Sequence, residues 1–267
     1  MIFGEGIMRT PTLYLPRQSG FHDLHPMTKL ALTGLFLVAA ATLPNVFWVI
    51  GLYLVGLLPL ALWGRVFLPF VKTTLLLIWP FALSLFLIQG FFAPGDHIIF
   101  RIGFLSMKAE GLWLAGGYAA RILVWLGAAT LFMLATQPDK IMLALRERGM
   151  PRQIGYIILT SLQIIPRFQS RAQTILDAQR SRGLETEGSL IHRLRMLVPL
   201  IAPLILSSLL ELDDRAIALE ARAFSHPGPR TSLVELSDAP WQMLMRRLVL
   251  GLMLALAAAR LARFILR

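Results

Sequence analysis

The sequence predicts an all-α integral membrane protein of about five membrane helices carrying a cytoplasmic arm of long helices. Three observations predict it. The 267 residues are 56% hydrophobic and only 15% charged, with a mean hydropathy of +0.66, whereas a soluble domain carries about 45–50% apolar and about 25% charged residues. Four long charge-poor stretches precede residue 137. Ten Lys or Arg then crowd residues 138–195 against five acids.

A bilayer core about 30 Å thick takes around 20 apolar residues as a helix. Leu30–Leu43 and Val46–Trp63 are free of charge, and Pro44-Asn45 breaks the chain between them. The first is short, which fits a tilted or shallow helix. Phe67–Phe92 follows, with Lys72 close enough to its start to snorkel and Pro80 inside it. Gly111–Ala135 contains one ionisable residue, Arg121. Its Gly111, Gly116, Gly117 and Gly127 permit close helix packing.

The ten cations of residues 138–195 cannot sit in hydrocarbon, where each central charge costs about 2.5–3.5 kcal/mol. The positive-inside bias places them in the cytoplasm. It also accounts for the net charge of +11 better than nucleic-acid binding does. Met196–Leu210 is apolar but only about 15 residues long, is interrupted by Pro199 and Pro203, and runs straight into Glu211, Asp213 and Asp214. A helix is expected to continue through DDRAIALEARAF until Pro227-Gly228-Pro229 stops it. A last apolar stretch, Leu248–Leu261, is flanked by Arg246-Arg247 and by Arg260, Arg263 and Arg267.

The expected organisation is a lead-in at 1–29, a four-helix membrane region at 30–136, the coupling-helix arm at 137–240 and a C-terminal membrane helix at 241–267. Four crossings before a cytoplasmic arm put the N-terminus inside and a fifth puts the C-terminus outside. The terminal arginines run against that, so either the last helix stops short of crossing or the count differs.

The absence of cysteine excludes disulfides and thiolate chemistry. No Gly-x-x-x-x-Gly-Lys-Ser/Thr loop occurs, so the chain is not expected to hydrolyse ATP itself; a non-catalytic subunit with no cofactor is the expected reading. His22, Asp23 and His25 lack further ligands at helical spacing and read as polar N-terminal residues. His97, His192 and His226 have no catalytic partner. The first residues carry no continuous apolar core and read as retained.

The arm contains a short repeat. Residues 177–184 (DAQRSRGL) align with 217–224 (IALEARAF) at an offset of forty. The shared pattern is Ala-x-x-small-Arg-small-apolar, carried by Ala178, Ser181, Arg182 and Gly183 in one copy and Ala218, Ala221, Arg222 and Ala223 in the other. Ala178 and Arg182 lie one turn apart on one helix face, as do Ala218 and Arg222. Small neighbours let another backbone approach, and Arg is suited to gripping a carboxylate with two parallel hydrogen bonds. Arginine also favours helix C-termini for their dipole, but two matched copies exceed what that alone explains.

These residues resemble the paired Ala-Arg-Gly-type signatures of the transmembrane coupling (T) subunit of energy-coupling factor transporters, the group that includes the cobalt and biotin uptake systems. Leu24-His25-Pro26-Met27-Thr28-Lys29-Leu30 is similar to that family's Leu-Asp-Pro-Arg-Thr-Lys segment, and the element order agrees. Departures are His25 and Met27, where an acid and a base are usual, and Ala223, where Gly is commoner and makes a left-handed turn easier. The resemblance implies an inner-membrane subunit that bridges two cytoplasmic ABC-type ATPases and a small substrate-binding membrane protein, the S component. Arg182 and Arg222 would each enter a groove on one ATPase and meet an acid, on helices crossing in an X. Leu197, Leu200, Leu204, Leu206 and Leu210 would form an apolar platform under the S component. Selectivity for cobalt, nickel, biotin or another vitamin would reside in that partner. A stand-alone secondary transporter or membrane enzyme needs intramembrane acids or histidines, which the first four spans lack. A protein binding nucleic acid or anionic lipid through residues 138–195 would show strong salt dependence.

Overall fold

The computed structural model describes residues 14–265 apart from 103–104, 184–189, 225, 227, 229–235 and 237, and side chains outside 100–105, 152, 190–200 and 264. In chain order the helices are α1 (Gly20–Asp23), α2 (Pro26–Thr42), α3 (Val46–Gly51), a π-helical turn (Leu52–Leu57) and α4 (Leu58–Trp63). They continue with α5 (Phe67–Phe92), α6 (Ala109–Ala135), α7 (Pro138–Glu147), α8 (Arg152–Ser181), α9 (Leu190–Ala221) and α10 (Pro240–Ile265). One antiparallel ribbon, β1 (Ile98–Ile102) with β2 (Leu105–Lys108), joins α5 to α6. The chain forms two compact units, Leu13–Met150 with Leu236–Arg267, and Pro151–Glu235.

In the first unit, among the described residues, three helices are long and apolar enough to cross a bilayer: Val46–Trp63, Phe67–Phe92 and Ala109–Ala135. Pro26–Thr42 is apolar but shorter. In α5 only 11% of the most apolar window is buried within the protein. Its exposed Leu76, Trp79, Phe81 and Ile88 therefore read as a lipid-facing surface. The core is Phe36, Val49, Tyr53, Leu57, Phe70, Val124 and Leu131, with the Tyr53 and Phe70 rings stacked at 6.0 Å.

α2 and α6 run in opposite directions. Lys29 of α2 meets Ala135 of α6, and Leu43 at the other end of α2 meets Arg121. Gly111 and Gly127 of α6 take up the close approaches. A Cβ at Gly111 would stand 2.1 Å from the Gln89 carbonyl oxygen, and one at Gly127 would stand 3.0 Å from Tyr53. At Gly116 nothing lies within 4 Å, so the four small residues divide between packing and open surface.

The last helix runs parallel to α2. Gln242 sits beside His25, Arg246 beside Thr28, Met253 beside Gly34 and Arg260 beside Ala41. α10 therefore does not turn back, and its C-terminal end lies away from the end of the bundle where α7 meets His25. Arg260 has a local reason to be there. Its guanidinium donates to the Ala41 carbonyl, while Arg121 donates to the carbonyls of Leu43 (3.2 Å) and Gly117 (3.0 Å). The last turn of a helix leaves four carbonyls unpaired, and these two arginines answer two of them on α2.

Beside α7, the residues before α2 are knotted into the bundle. The buried Lys29 ammonium donates to the carbonyls of His22 (2.9 Å) and Ala135 (2.8 Å), tying α2 to the C-terminus of α6. The His25 N–H donates to Gln242 Oε1 at 2.8 Å, and Arg246 bridges Thr28 Oγ1 (3.2 Å) and Asp238 (3.0 and 2.5 Å). Leu236 N–H donates to Glu147 Oε1 at 3.4 Å, so the residues where the chain leaves and re-enters this unit meet. Replacing Lys29 by Met strands two buried carbonyls, and the expected cost is about 2–3 kcal/mol, read as a drop in the unfolding temperature in detergent.

His22 and His25 use their ring nitrogens locally. His22 contacts Ser19 Oγ (2.8 Å) and the Leu15 carbonyl (3.2 Å), and His25 Nδ1 accepts from Met27 N–H. Burial holds both imidazoles below their ordinary value of 6.5, more than the opposing pull of Asp23 on His22 and of Asp238 and Glu147 on His25. As pH falls through about 6.5 the unfolded chain takes up protons that the folded chain refuses, so stability falls. Arg246 holds Asp238 below its usual carboxylate range; its contribution is present above the unfolded value and is lost as pH falls through the lowered one. Melting temperature is thus expected to drop from about pH 7 to pH 5, and a His22→Gln, His25→Asn variant should lose that step.

Candidate coupling site

The second unit is built from two long amphipathic helices. α8 begins after Pro151 and carries Pro166 without breaking. α9 is continuous for 32 residues through Pro199 and Pro203, so these prolines do not interrupt the helix. Contacts between the two run in antiparallel sense. The Tyr156 and Phe224 rings lie 5.2 Å apart, and Arg171 meets both Glu211 (2.7 Å) and the Ser207 carbonyl (3.1 Å). Glu211 is shared: Arg167 reaches it at 3.5 Å, and Arg215 pairs with it along α9. A single carboxylate thus gathers three guanidinium groups where the helices cross.

Arg171 and Glu211 are separated by the same forty residues that separate the two copies of the repeat. Matched positions on antiparallel helices therefore meet at the crossing, the arrangement of a local two-fold axis. Arg182 lies eleven residues beyond Arg171, and Arg222 eleven beyond Glu211. At 1.5 Å per residue each tip stands about 16 Å from the clamp, and the two tips point in opposing senses.

The tips share one geometry. Arg182 is the C-cap of α8, followed by Gly183 at φ 91°. Arg222 follows the last residue of α9, and Ala223 has φ 53°. The Ala223 N–H donates to the Glu220 carbonyl (2.8 Å) and the Phe224 N–H to the Leu219 carbonyl (2.9 Å); this pair of bonds is the Schellman closure. The left-handed turn that alanine makes less easily is adopted nonetheless, held by the Phe224–Tyr156 contact. Ala223→Gly should relieve about 1 kcal/mol of backbone strain, raising the arm's resistance to limited proteolysis.

Ala178, Ser181, Arg182 and Gly183, and Ala218, Ala221, Arg222 and Ala223, are all exposed. Among the described residues neither Arg182 nor Arg222 has an ion-pair partner. Of the expected platform, Leu204 is half-buried while Leu206 and Leu210 are 61% and 58% exposed; the side chains of Leu197 and Leu200 lie outside the described residues. Ile201, Ile205, Leu209 and Leu212 are also exposed, extending an apolar surface along α9. Sequence reasoning missed the clamp. Its signal was present in the i, i+4 pairs Arg167/Arg171 and Glu211/Arg215, with Arg171 and Glu211 at the repeat offset.

The model of the CbiQ family, described as "Cobalt transport protein", matches residues 17–233. The chain belongs to that family. The match runs from the lead-in through the arm, taking in both arginine tips and the clamp. Curated relatives are named energy-coupling factor transporter transmembrane protein EcfT. That of Heliobacterium modesticaldum is 32% identical, covering 82% of this chain and 85% of its own. Those of Listeria innocua (30%) and Bacillus subtilis (29%) have the same coverage. The CbiQ-family chain is therefore a membrane component of a transporter of this kind, with apolar spanning helices and a paired-helix arm.

Proposed function

We propose that the chain is the coupling subunit of an energy-coupling factor importer in the cytoplasmic membrane, with the arm in the cytoplasm. Arg182 and Arg222 each dock into an acidic groove on one of two ABC-type ATPases. Closure of the ATPases moves α8 against α9, and the exposed apolar surface of α9 passes that motion to a small substrate-binding membrane protein. The observation that carries this reading is the meeting of repeat-matched Arg171 and Glu211 at the helix crossing. It sets two identical exposed arginine tips at equal distances from one point, as two copies of a similar partner require. Ion-pair contacts also have a physical advantage there: an exposed guanidinium costs nothing to leave in water, and gains when a carboxylate receives it in a desolvated groove.

The experiment is affinity purification of the intact chain in mild detergent after expression with its chromosomal neighbours, followed by native mass measurement. The expected mass corresponds to one copy of this chain, two ATPase subunits and one small membrane protein. A chain that purifies alone and carries a solute across proteoliposomes without ATP overturns the assignment.

A further inference from the structure

We propose that the membrane bundle holds an acidic phospholipid, its phosphate gripped by Arg121 and Arg260. A cavity of about 640 Å³ opens beside α6, lined by both arginines together with Trp113, Leu114, Tyr118 and Trp125. Among the described residues its wall contains no acidic side chain. Arg121 spends two N–H groups on the Gly117 and Leu43 carbonyls, and Arg260 spends one on Ala41. A guanidinium has five, so several donors remain for an anion. Two positive charges thus share a cavity with no counter-charge among its described lining residues.

Their depth makes that costly. Arg121 lies about 21 Å along α6 from Ala135 at 1.5 Å per residue, beyond the midplane of a core about 30 Å thick. Intramembrane arginines face a partner or a polar cavity, and basic pockets between helices take anionic headgroups. A phosphodiester supplies the missing charge and the acceptors. The walls suit the rest of the lipid. Gly116 has nothing within 4 Å of a Cβ position, and Gly117 meets only the Arg121 guanidinium, at 3.4 Å, which leaves a shallow track along α6 for an acyl chain. Trp113 and Tyr118 are exposed on the side of Arg121 away from Ala135, in keeping with aromatic side chains toward the headgroup level, and Trp125 adds an apolar wall deeper in the core. The lipid comes from the leaflet at the end of the bundle remote from α7.

The test uses the full chain reconstituted with phospholipids brominated on their acyl chains, which quench nearby tryptophan. Brominated phosphatidylglycerol is expected to quench at lower mole fraction than brominated phosphatidylcholine. Arg260→Gln should weaken that preference about fivefold, and adding Arg121→Gln about fivefold again. Unfolding temperature checks folding, and Arg260→Lys, which keeps the charge, should retain most of the preference. Inorganic phosphate in excess should displace nothing; displacement would mean a free-phosphate site and overturn the proposal. Equal quenching by the two lipids overturns it too. So does a double variant that keeps the preference but loses a co-purifying membrane protein, since a partner's carboxylate would then fill the site.

Discussion

Reversing the charge at both tips, Arg182→Glu with Arg222→Glu, is expected to abolish co-purification of the ATPases while leaving the unfolding temperature of the membrane bundle unchanged. Truncating one partner of a desolvated ion pair costs about 2–5 kcal/mol, and here a carboxylate would be repelled as well. Either change alone should weaken the complex by only about tenfold, because two linked contacts hold it and the remaining one keeps the second ATPase at high effective concentration. Both residues belong to the other compact unit, Pro151–Glu235, so a fall in bundle stability would signal a different role for them.

The second large effect is expected at the clamp. In Glu211→Lys, Arg167, Arg171 and Arg215 lose their shared carboxylate and face a fourth cation. Glu211 is 30% exposed and its partners range from 25% to 53%, so screening trims the penalty well below that of a buried pair, to about 1–2 kcal/mol. The functional loss should be larger than the stability loss. With the crossing loosened, the ATPases still bind the tips, but α8 and α9 no longer move as one unit, and substrate uptake should fall at least about tenfold at unchanged ATPase recovery, since a misplacement of about 1 Å can cost a hundredfold in a positioned system. Exchanging the charges, Arg171→Glu with Glu211→Arg, should recover part of the uptake. A swap that recovers none would place the clamp outside the transmission path.

Much of this was legible in the sequence, for reasons that differ by element. Val46–Trp63 and Phe67–Phe92 were readable to the residue because Pro44-Asn45 and Gly64-Arg65 punctuate charge-free runs, and length with composition suffices for a spanning helix. The π-helical turn at Leu52–Leu57 leaves hydropathy unchanged and so left no trace. The ribbon at Ile98–Lys108 is too short for its alternation to stand out, although Ile98, Ile99 and Ile102 are good strand formers. The direction of α10 could not be settled from charge, since Arg260 belongs at the end of α2 for a local reason, the two carbonyls left open there. The arginine tips were visible as a repeat. Glu211 was not, because its worth lies in three cations that reach it from two helices.

The most direct measurement exploits the absence of cysteine. Single Cys residues placed beside each tip, Ser181→Cys or Ala221→Cys, can be cross-linked in the assembled complex to its ATPase subunits with a short bifunctional thiol reagent. Each tip is expected to join one ATPase copy, and a Ser181→Cys, Ala221→Cys chain to join two, with both thiols shielded from a water-soluble maleimide until the ATPases are stripped away. Thiols equally reactive with and without ATPases, and no cross-link from either tip, would contradict the coupling role.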